Sequence, residues 1–286
     1  MPSSAAPTST TTAPPAPREY VLGTGLDELQ RLGFQHRLWA DAAHAAWRKA
    51  QLRLGQRVLD VGCGPGFASF DLAQLVGPDG LVVGVDESPA FISHLQAQAA
   101  SRGLANLSGL VGDVQDLTAA RAHGPFDLAY ERWVLCFVPR PDDVIASVAS
   151  LLKRGGRFVI QDYFNYGSMT MAPRRASHDK AVAATIASWR SRGGDPDICG
   201  RLPAMLTNHG FTIEHLAVHQ RLARGHDTMF QWVDVWWRIY APKLVEMNLL
   251  AKADCDQLML DLTAVRDSAT DFVMPPPVYE LIAVKQ

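Results

Sequence analysis

The chain has 286 residues, of which 48% are hydrophobic and 20% are charged, and its formal charge at pH 7 is -2. This length and apolar fraction predict one sizeable hydrophobic core with a modest extra subdomain. The balanced charge gives no general attraction to nucleic acid or to an anionic membrane, so neither is expected as a partner.

Four cysteines are scattered along the chain without a C-x-x-C spacing. We therefore predict neither a disulfide framework nor a zinc site, which fits a reducing, cytoplasmic location. No apolar run is long enough to span a bilayer, and the first residues lack the charged start and apolar stretch of a signal peptide.

The chain begins with a low-complexity tail that leads into a helical segment. Residues 1–18 are rich in Ser, Thr, Ala and Pro, a composition that buries too little apolar surface to order itself, so we expect a disordered tail. In residues 19–50, leucines and tryptophans recur at helical spacing. This pattern predicts an amphipathic leader helix.

The most informative segment joins a buried strand to a glycine-rich turn. Arg57–Val61 is a short β-rich run, and Phe67–Val76 is the helix predicted to follow it. Between them, Gly62, Gly64 and Gly66 remove Cβ atoms where the backbone must approach a ligand. The spacing differs from the G-x-G-x-x-G of dinucleotide-binding folds, which argues against NAD.

Further predicted strands alternate with helices after this turn. Leu81–Asp86 ends in a carboxylate 20 residues past the last glycine, a spacing at which an acid can accept hydrogen bonds from both ribose hydroxyls of a nucleoside. Leu107–Gly112 is the third strand, Asp127–Tyr130 the fourth, and Arg157–Asp162 the fifth. The alternation predicts an α/β fold with a mostly parallel sheet.

From Arg57 to Asp162, the order of these motifs resembles that of the class I S-adenosylmethionine-dependent methyltransferases. The resemblance is to the small-molecule branch, which includes ubiquinone/menaquinone biosynthesis and natural-product enzymes. It implies a Rossmann-like class I methyltransferase fold, with a mostly parallel seven-stranded sheet, helices on both faces and helical lid elements. It also implies S-adenosylmethionine as the cofactor.

The domain plan that follows has a leader helix over the cofactor pocket and a cofactor-binding core at residues 51–164. Residues 165–200 are predicted to be an inserted lid, and residues 201–286 the C-terminal half of the sheet. That half contains an aromatic helix at residues 229–250. Its aromatic face has two open interpretations. It packs in the core or in a dimer interface, or it borders the substrate pocket.

The resemblance also implies a set of cofactor-binding residues. They are Tyr20, Gln35, Asp60, Gly62, Cys63, Gly64, Gly66, Asp86, Glu87, Asp113, Val114 and Arg132. In this family the acid at Asp113 faces the adenine amino group and its neighbour packs on the ring. Tyr20 is expected to cover the sulfonium and Arg132 to line the methionine end; a surface aromatic and a surface ion pair are the alternatives.

Catalysis requires little acid-base chemistry, because the sulfonium is already an excellent leaving group and positioning does most of the work. The candidates for facing the acceptor or acting as a base are His36, His178 and Tyr163. The two histidines have structural alternatives, in the core or at a helix start. No metal is predicted, since Asp162 and Asn165 do not reproduce the Asp-Asn pair of the metal-dependent enzymes that follows strand five.

We therefore predict methyl transfer to a small, apolar or aromatic acceptor, with oxygen or carbon favoured over nitrogen as the accepting atom. Two alternatives keep the cofactor site. The protein could run a cyclisation or rearrangement, or it could be a non-catalytic S-adenosylmethionine-binding module. The predicted partner is a small-molecule substrate, and a homodimer is a further possibility.

Overall fold

The computed structural model describes residues 25–286. Its centre is a seven-stranded sheet whose strands lie in the order Leu107–Val111 (β3), Leu81–Asp86 (β2), Arg57–Val61 (β1), Phe126–Arg132 (β4), Leu152–Tyr163 (β5), Val278–Lys285 (β10) and Phe211–His219 (β7). Strands β3, β2, β1, β4 and β5 pair in parallel, and β10 runs antiparallel to both of its neighbours. The predicted mostly parallel, seven-stranded α/β fold is confirmed.

The elements are as follows in chain order. The strands are β1 (Arg57–Val61), β2 (Leu81–Asp86), β3 (Leu107–Val111), β4 (Phe126–Arg132), β5 (Leu152–Tyr163), β6 (Thr170–Ala172), β7 (Phe211–His219), β8 (Ala223–Arg224), β9 (Phe272–Met274) and β10 (Val278–Lys285). The helices are α1 (Leu26–Lys49), α2 (Phe67–Val76), α3 (Pro89–Ser101), α4 (Pro141–Leu151), α5 (Ala176–Arg190), α6 (Leu202–Asn208), α7 (Thr228–Glu246) and α8 (Lys252–Asp267).

The first strands are buried on both faces, which explains their unbroken apolar runs. In β1, Val58, Leu59 and Val61 are all buried, with side chains alternating between the two faces. Helix α1 packs on one face, where Trp47 and Ala43 meet the side chains of β1 and β4. Since parallel strands joined by helices all end at the same edge, the residues that follow β1 to β5 gather there.

A second, three-stranded sheet in the order β6-β9-β8 was not predicted from the sequence. Its strands have only two or three residues each, too short for period-two alternation to be recognised. Helices α5, α7 and α8 pack on one another, so the predicted lid helix shares a layer with the aromatic helix.

Among the element ends that differ from the prediction, two have a clear physical reason. Helix α7 ends at Glu246 instead of residue 250, because Asn248 adopts a left-handed conformation with φ of 58°. The Leu244 carbonyl then accepts the N–H groups of both residues 249 and 250, which closes the helix end. Strand β4 continues through Arg132, and Trp133, with φ of 57°, turns the chain away.

The predicted tail and Tyr20 lie outside the described residues, so both stay predictions. No helix between residues 25 and 286 is long and apolar enough to cross a bilayer. In the same range, no group of three or more His, Cys, Asp or Glu side chains is arranged to hold a metal ion.

Candidate active site

A cavity of about 820 Å³ lies at the carboxyl edge of β1 to β5. The glycine turn after β1 borders it, and Gly62, Gly64 and Gly66 all have positive φ. A Cβ atom on Gly66 would lie 2.7 Å from the Leu95 side chain, whereas one on Gly64 would meet nothing within 4 Å. Gly66 is therefore required by packing, while Gly64 leaves space open on the cavity side.

Asp86, at the end of β2, holds the glycine turn in place. Its Oδ2 accepts the Gly64 backbone N–H at 2.9 Å, and its Oδ1 accepts the Ser88 N–H at 2.9 Å. Burial raises the pKa of this carboxyl, and the two N–H donors oppose that rise. A carboxylate has about four lone-pair positions, so both oxygens keep acceptor capacity towards the cavity.

Asp60 and Cys63 border the same end of the cavity. The Asp60 carboxylate accepts the Ser69 hydroxyl at 2.5 Å. Burial raises the pKa of Asp60 to about 7, even though the Ser69 hydrogen bond acts in the opposite direction. Burial also raises the pKa of the Cys63 thiol, so this side chain stays neutral and unreactive at neutral pH.

The residues after β2 and β3 border the cavity further along the edge. Glu87 and Asp113 are exposed, and Val114 is buried. The Asp113 carboxylate accepts two hydrogen bonds from the Gln115 side chain and one from its backbone N–H. This arrangement holds a carboxylate beside the apolar side chain of Val114; the adenine site itself stays a prediction.

Arg132 ends a chain of hydrogen bonds that the sequence did not reveal. Its Nη2 donates to His36 Nδ1 at 3.0 Å, and His36 Nε2 lies 3.1 Å from Asp71 Oδ2. His44 Nε2 also contacts that carboxylate oxygen, at 2.7 Å. Because an arginine can only donate, His36 must accept through Nδ1 and donate its Nε2–H to Asp71.

His36 is therefore held as a neutral, fully engaged ring. Burial lowers the pKa of His36, and the Asp71 hydrogen bond offsets part of that effect. Its acceptor nitrogen is occupied by Arg132, so His36 has no lone pair for a substrate proton. The Nη1 of Arg132 is buried beside the cavity without a hydrogen-bond partner among the described residues.

Gln35, one residue before His36 on α1, also borders the cavity. Its Oε1 accepts the Trp232 indole N–H at 2.9 Å and the Arg31 Nη1 at 2.9 Å. Arg31 forms a bidentate pair with Glu28 at 2.7 Å. The amide oxygen therefore links the leader helix α1 to the aromatic helix α7.

The other end of the cavity is aromatic. Trp133 stacks between Tyr163 and Trp232, with ring centroids 5.9 Å from each and interplanar angles of 20° and 24°. Further rings complete this aromatic chamber: Phe137, Tyr166, Trp189, Trp236 and Tyr240. Helix α7 thus borders the cavity through its aromatic face.

Tyr163 is the sequence-predicted catalytic candidate that reaches this chamber. It is buried among Trp133, Tyr166 and Trp189. Burial raises its pKa well above the ordinary value, so the phenol stays protonated at neutral pH. It can donate a hydrogen bond there but cannot act as a base.

His178 does not reach the cavity. It is fully buried on α5, with its ring centroid 5.3 Å from that of Trp237 in an edge-to-face contact. Neither ring nitrogen has a hydrogen-bond partner among the described residues. The prediction that His178 faces the pocket fails on geometry, because this side of α5 faces the buried side of α7 that carries Trp237.

We expect His178 to make the fold acid-sensitive. Burial lowers its pKa to about 4, against an ordinary value of 6.5, so as pH falls below 6.5 the unfolded chain takes up a proton that the folded chain refuses. At pH 4.5 this costs about 2 kcal/mol of folding free energy. Urea unfolding would measure the free energy of unfolding at pH 7 and at pH 4.5. The decrease between the two pH values should be smaller in His178→Leu than in the parent by that amount. An equal loss in both proteins would contradict the assignment.

Several residues of the site had no distinguishing sequence signal. Asp71 belongs to helix α2, and only the packing of α2 on α1 brings it to His36 and His44. Tyr130 and Arg31 border the cavity. Their positions on a strand and on an amphipathic helix gave no reason to single them out.

The comparisons with known proteins agree with this geometry. Residues 52–212, more than half of the chain, match a family profile described as a methyltransferase domain. The chain is 35% identical over 120 residues to the aklanonic acid methyltransferase DauC of Streptomyces sp. (strain C5), a match that covers 42% of this chain and 54% of that protein. It is 36% identical over 115 residues to an arsenite methyltransferase of Aquipseudomonas alcaligenes, covering 38% of this chain and 33% of that protein.

These matches span about half the length of the first relative and a third of the second. Among solved structures, the 4+2 cyclase SpnF superposes with a TM-score of 0.54 at 18% identity, covering 86% of this chain and 80% of that one. At that identity the likeness shows the fold alone. With the glycine turn, the acidic strand ends and the family match together, the chain belongs to the methyltransferase domain family, within the class I S-adenosylmethionine-dependent enzymes.

Proposed function

We propose that the protein transfers a methyl group from S-adenosylmethionine to a small, apolar or aromatic organic acceptor. The observation that carries this proposal is a single cavity with two different ends. One end has the glycine turn, Asp86 and Arg132, and the other is the aromatic chamber. A cofactor at the first end would direct its methyl group towards a flat substrate at the second.

The polar end has groups that match each part of the cofactor. The Asp86 carboxylate would accept hydrogen bonds from the two ribose hydroxyls, and Asp113 with Val114 would hold the adenine. The unpartnered Nη1 of Arg132 would donate to the carboxylate of the amino-acid part. Gly64 leaves room for the ligand to approach the backbone.

In this arrangement His36 is a positioning residue. It fixes the guanidinium of Arg132 from one side, and Asp71 fixes the ring of His36 from the other. The predicted role of His36 as a base is replaced by this proposal, because the Nδ1 lone pair is already used.

The aromatic end determines what can be methylated. S-adenosylmethionine would supply an electrophilic methyl group on a positively charged sulfur. The protein has chiefly to orient the acceptor and exclude water, and a phenol, quinol or enol would react as its anion, having lost its proton before the transfer. Stacked rings such as Trp133 and Trp232 suit a flat acceptor. The protonated phenol of Tyr163 suits an acceptor that presents an oxygen, which favours oxygen, or a carbon beside a carbonyl, over nitrogen.

Two other functions are less well supported. Of the four cysteines, all buried, Cys63 alone borders the cavity within the described range, so a set of thiols for arsenite is not assembled there. A cyclisation would use the same cavity without consuming the methyl group, and product mass separates it from methyl transfer.

The test is an acceptor screen with S-adenosylmethionine and families of quinols, phenols, enolisable dicarbonyls and amines. We expect one family of oxygen- or carbon-based acceptors to gain the mass of one methyl group, with none gained in an Asp86→Ala control. Conversion at unchanged mass would instead support a rearrangement. Cofactor binding without turnover of any acceptor would favour the non-catalytic module.

A further inference from the structure

A row of buried polar side chains crosses the central sheet beneath helix α1. Tyr130 on β4, Gln161 on β5 and Glu280 on β10 are each at most 1% exposed. The Tyr130 hydroxyl contacts Gln161 Oε1 at 3.1 Å, and Gln161 Nε2 contacts Glu280 Oε2 at 3.0 Å. The row runs from the β7 side of the sheet to the cavity, where Tyr130 pairs in register with Asp60.

The far end of the row is a carboxylate that stays ionised. Glu280 accepts hydrogen bonds from Lys49 Nζ at 2.8 Å and from His219 Nε2 at 2.8 Å, and His215 Nε2 lies 3.3 Å away. Burial alone would raise its pKa, but the bonds from His219, Lys49 and Gln161 outweigh it and lower the pKa to about 2. Glu280 is therefore an obligatory acceptor.

This fixed charge determines the direction of every bond in the row. Since the Glu280 carboxylate can only accept, Gln161 must turn its NH₂ group towards it and its carbonyl oxygen towards Tyr130. The Tyr130 hydroxyl must then donate to that oxygen. The lone pairs of the Tyr130 oxygen are left as acceptors, and both Tyr130 and its register partner Asp60 border the cavity.

We propose that Tyr130 accepts a hydrogen bond from the α-ammonium group of the cofactor, and that Gln161 and Glu280 are positioning residues that keep its oxygen in the accepting orientation. This inference rests on the proposed function, because it assumes an amino-acid cofactor end beside Asp60 and Arg132. An ammonium group carries three donors and no acceptor, so it requires oxygen acceptors of this kind. Two residues that carry such oxygens, Asp60 and Tyr130, border that end of the cavity.

A purely structural role would give the same network, so the test must isolate the ammonium group. Calorimetry would measure binding of S-adenosylhomocysteine and of its analogue in which hydrogen replaces the α-amino group. The quantity compared is the ratio of the two affinities. A structural defect changes both affinities alike, whereas a lost ammonium contact changes only the first.

In Tyr130→Phe, we expect the affinity ratio to fall about 10-fold, because one hydrogen bond to a charged group is lost while the ring remains. In Glu280→Gln, the ratio should fall by a similar factor. The new amide can donate to Gln161 and reverse the row, which turns the Tyr130 hydroxyl towards the cavity as a donor. The double variant should show no further fall, since both changes remove the same contact.

The matched control is Glu214→Gln, the same chemical change on the neighbouring strand β7, where Glu214 pairs with Arg157 at the surface. Its affinity ratio should equal that of the parent. A ratio unchanged in Tyr130→Phe would overturn this inference even if Glu280→Gln failed to fold. A parent protein that binds S-adenosylhomocysteine without preferring it over the analogue would also overturn it, whereas no binding at all would remove the proposed function as well.

Discussion

Replacing Asp86 with alanine is expected to lower the affinity for S-adenosylhomocysteine at least about 100-fold. Two hydrogen bonds from ribose hydroxyls to a carboxylate are lost, each contributing about 1.5–3 kcal/mol. The same substitution removes the acceptor that holds the Gly64 N–H at 2.9 Å. Both effects act on the cofactor end of the cavity, and calorimetric titration of the purified variant measures them together.

The control for this prediction is Asp79→Ala, which removes an exposed carboxylate from the turn before β2. Its affinity should match that of the parent, and thermal unfolding should show that both variants are folded. Binding by Asp86→Ala within 10-fold of the parent would remove Asp86 from the cofactor site.

The strand, glycine turn and helix at the polar end of the cavity could be predicted because their signals are local. The strand Arg57–Val61, the glycine turn and the helix Phe67–Val76 have the same bounds in the structure as in the sequence analysis. Here the apolar runs are short, buried on both faces and bounded by glycines, so the sequence is compatible with only one assignment, a strand followed by a turn and a helix. The position of the Asp86 carboxylate at the edge of the sheet could also be predicted, because Asp86 is the last residue of the next apolar strand.

The orientation of the C-terminal helices could not be predicted in the same way. Helical periodicity placed Trp232, Trp236 and Tyr240 on one face of α7, but it does not say which way that face points. The packing of α7 on α5 decides it, since Trp237, next to Trp236 in the chain, is buried against His178. The same packing takes His178 away from the cavity.

The hydrogen-bonded relay of Arg132, His36 and Asp71 could not be predicted from the sequence for a different reason. His36 and Asp71 are 35 residues apart, and their contact exists only because α1 packs on α2. A lone histidine next to an apolar face gives no indication of its partners or of its tautomer. The sequence could nominate His36, but only the partners at both ring nitrogens show that it positions Arg132.

Replacing Arg132 with methionine is expected to lower the affinity for S-adenosylhomocysteine by about 100-fold. A buried guanidinium that pairs with a carboxylate contributes about 2–5 kcal/mol. His36→Phe keeps the ring stacked near Phe67 but removes the acceptor of the Arg132 hydrogen bond. We expect it to lower the affinity about 10-fold. Both effects should vanish for an analogue that lacks the α-carboxylate.

The pH dependence separates this role from that of a base. Burial lowers the pKa of His36 from its ordinary value. Acidification through that lowered pKa protonates Nδ1, removes the acceptor and puts two cations side by side. The affinity of the parent for S-adenosylhomocysteine should therefore fall as the pH becomes acidic. The fall should be equally steep in the control His226→Gln, which replaces an exposed histidine, and less steep in Arg132→Met. If His36→Phe instead reduced turnover and left cofactor affinity unchanged, His36 would act on the acceptor and the relay would have no role in binding.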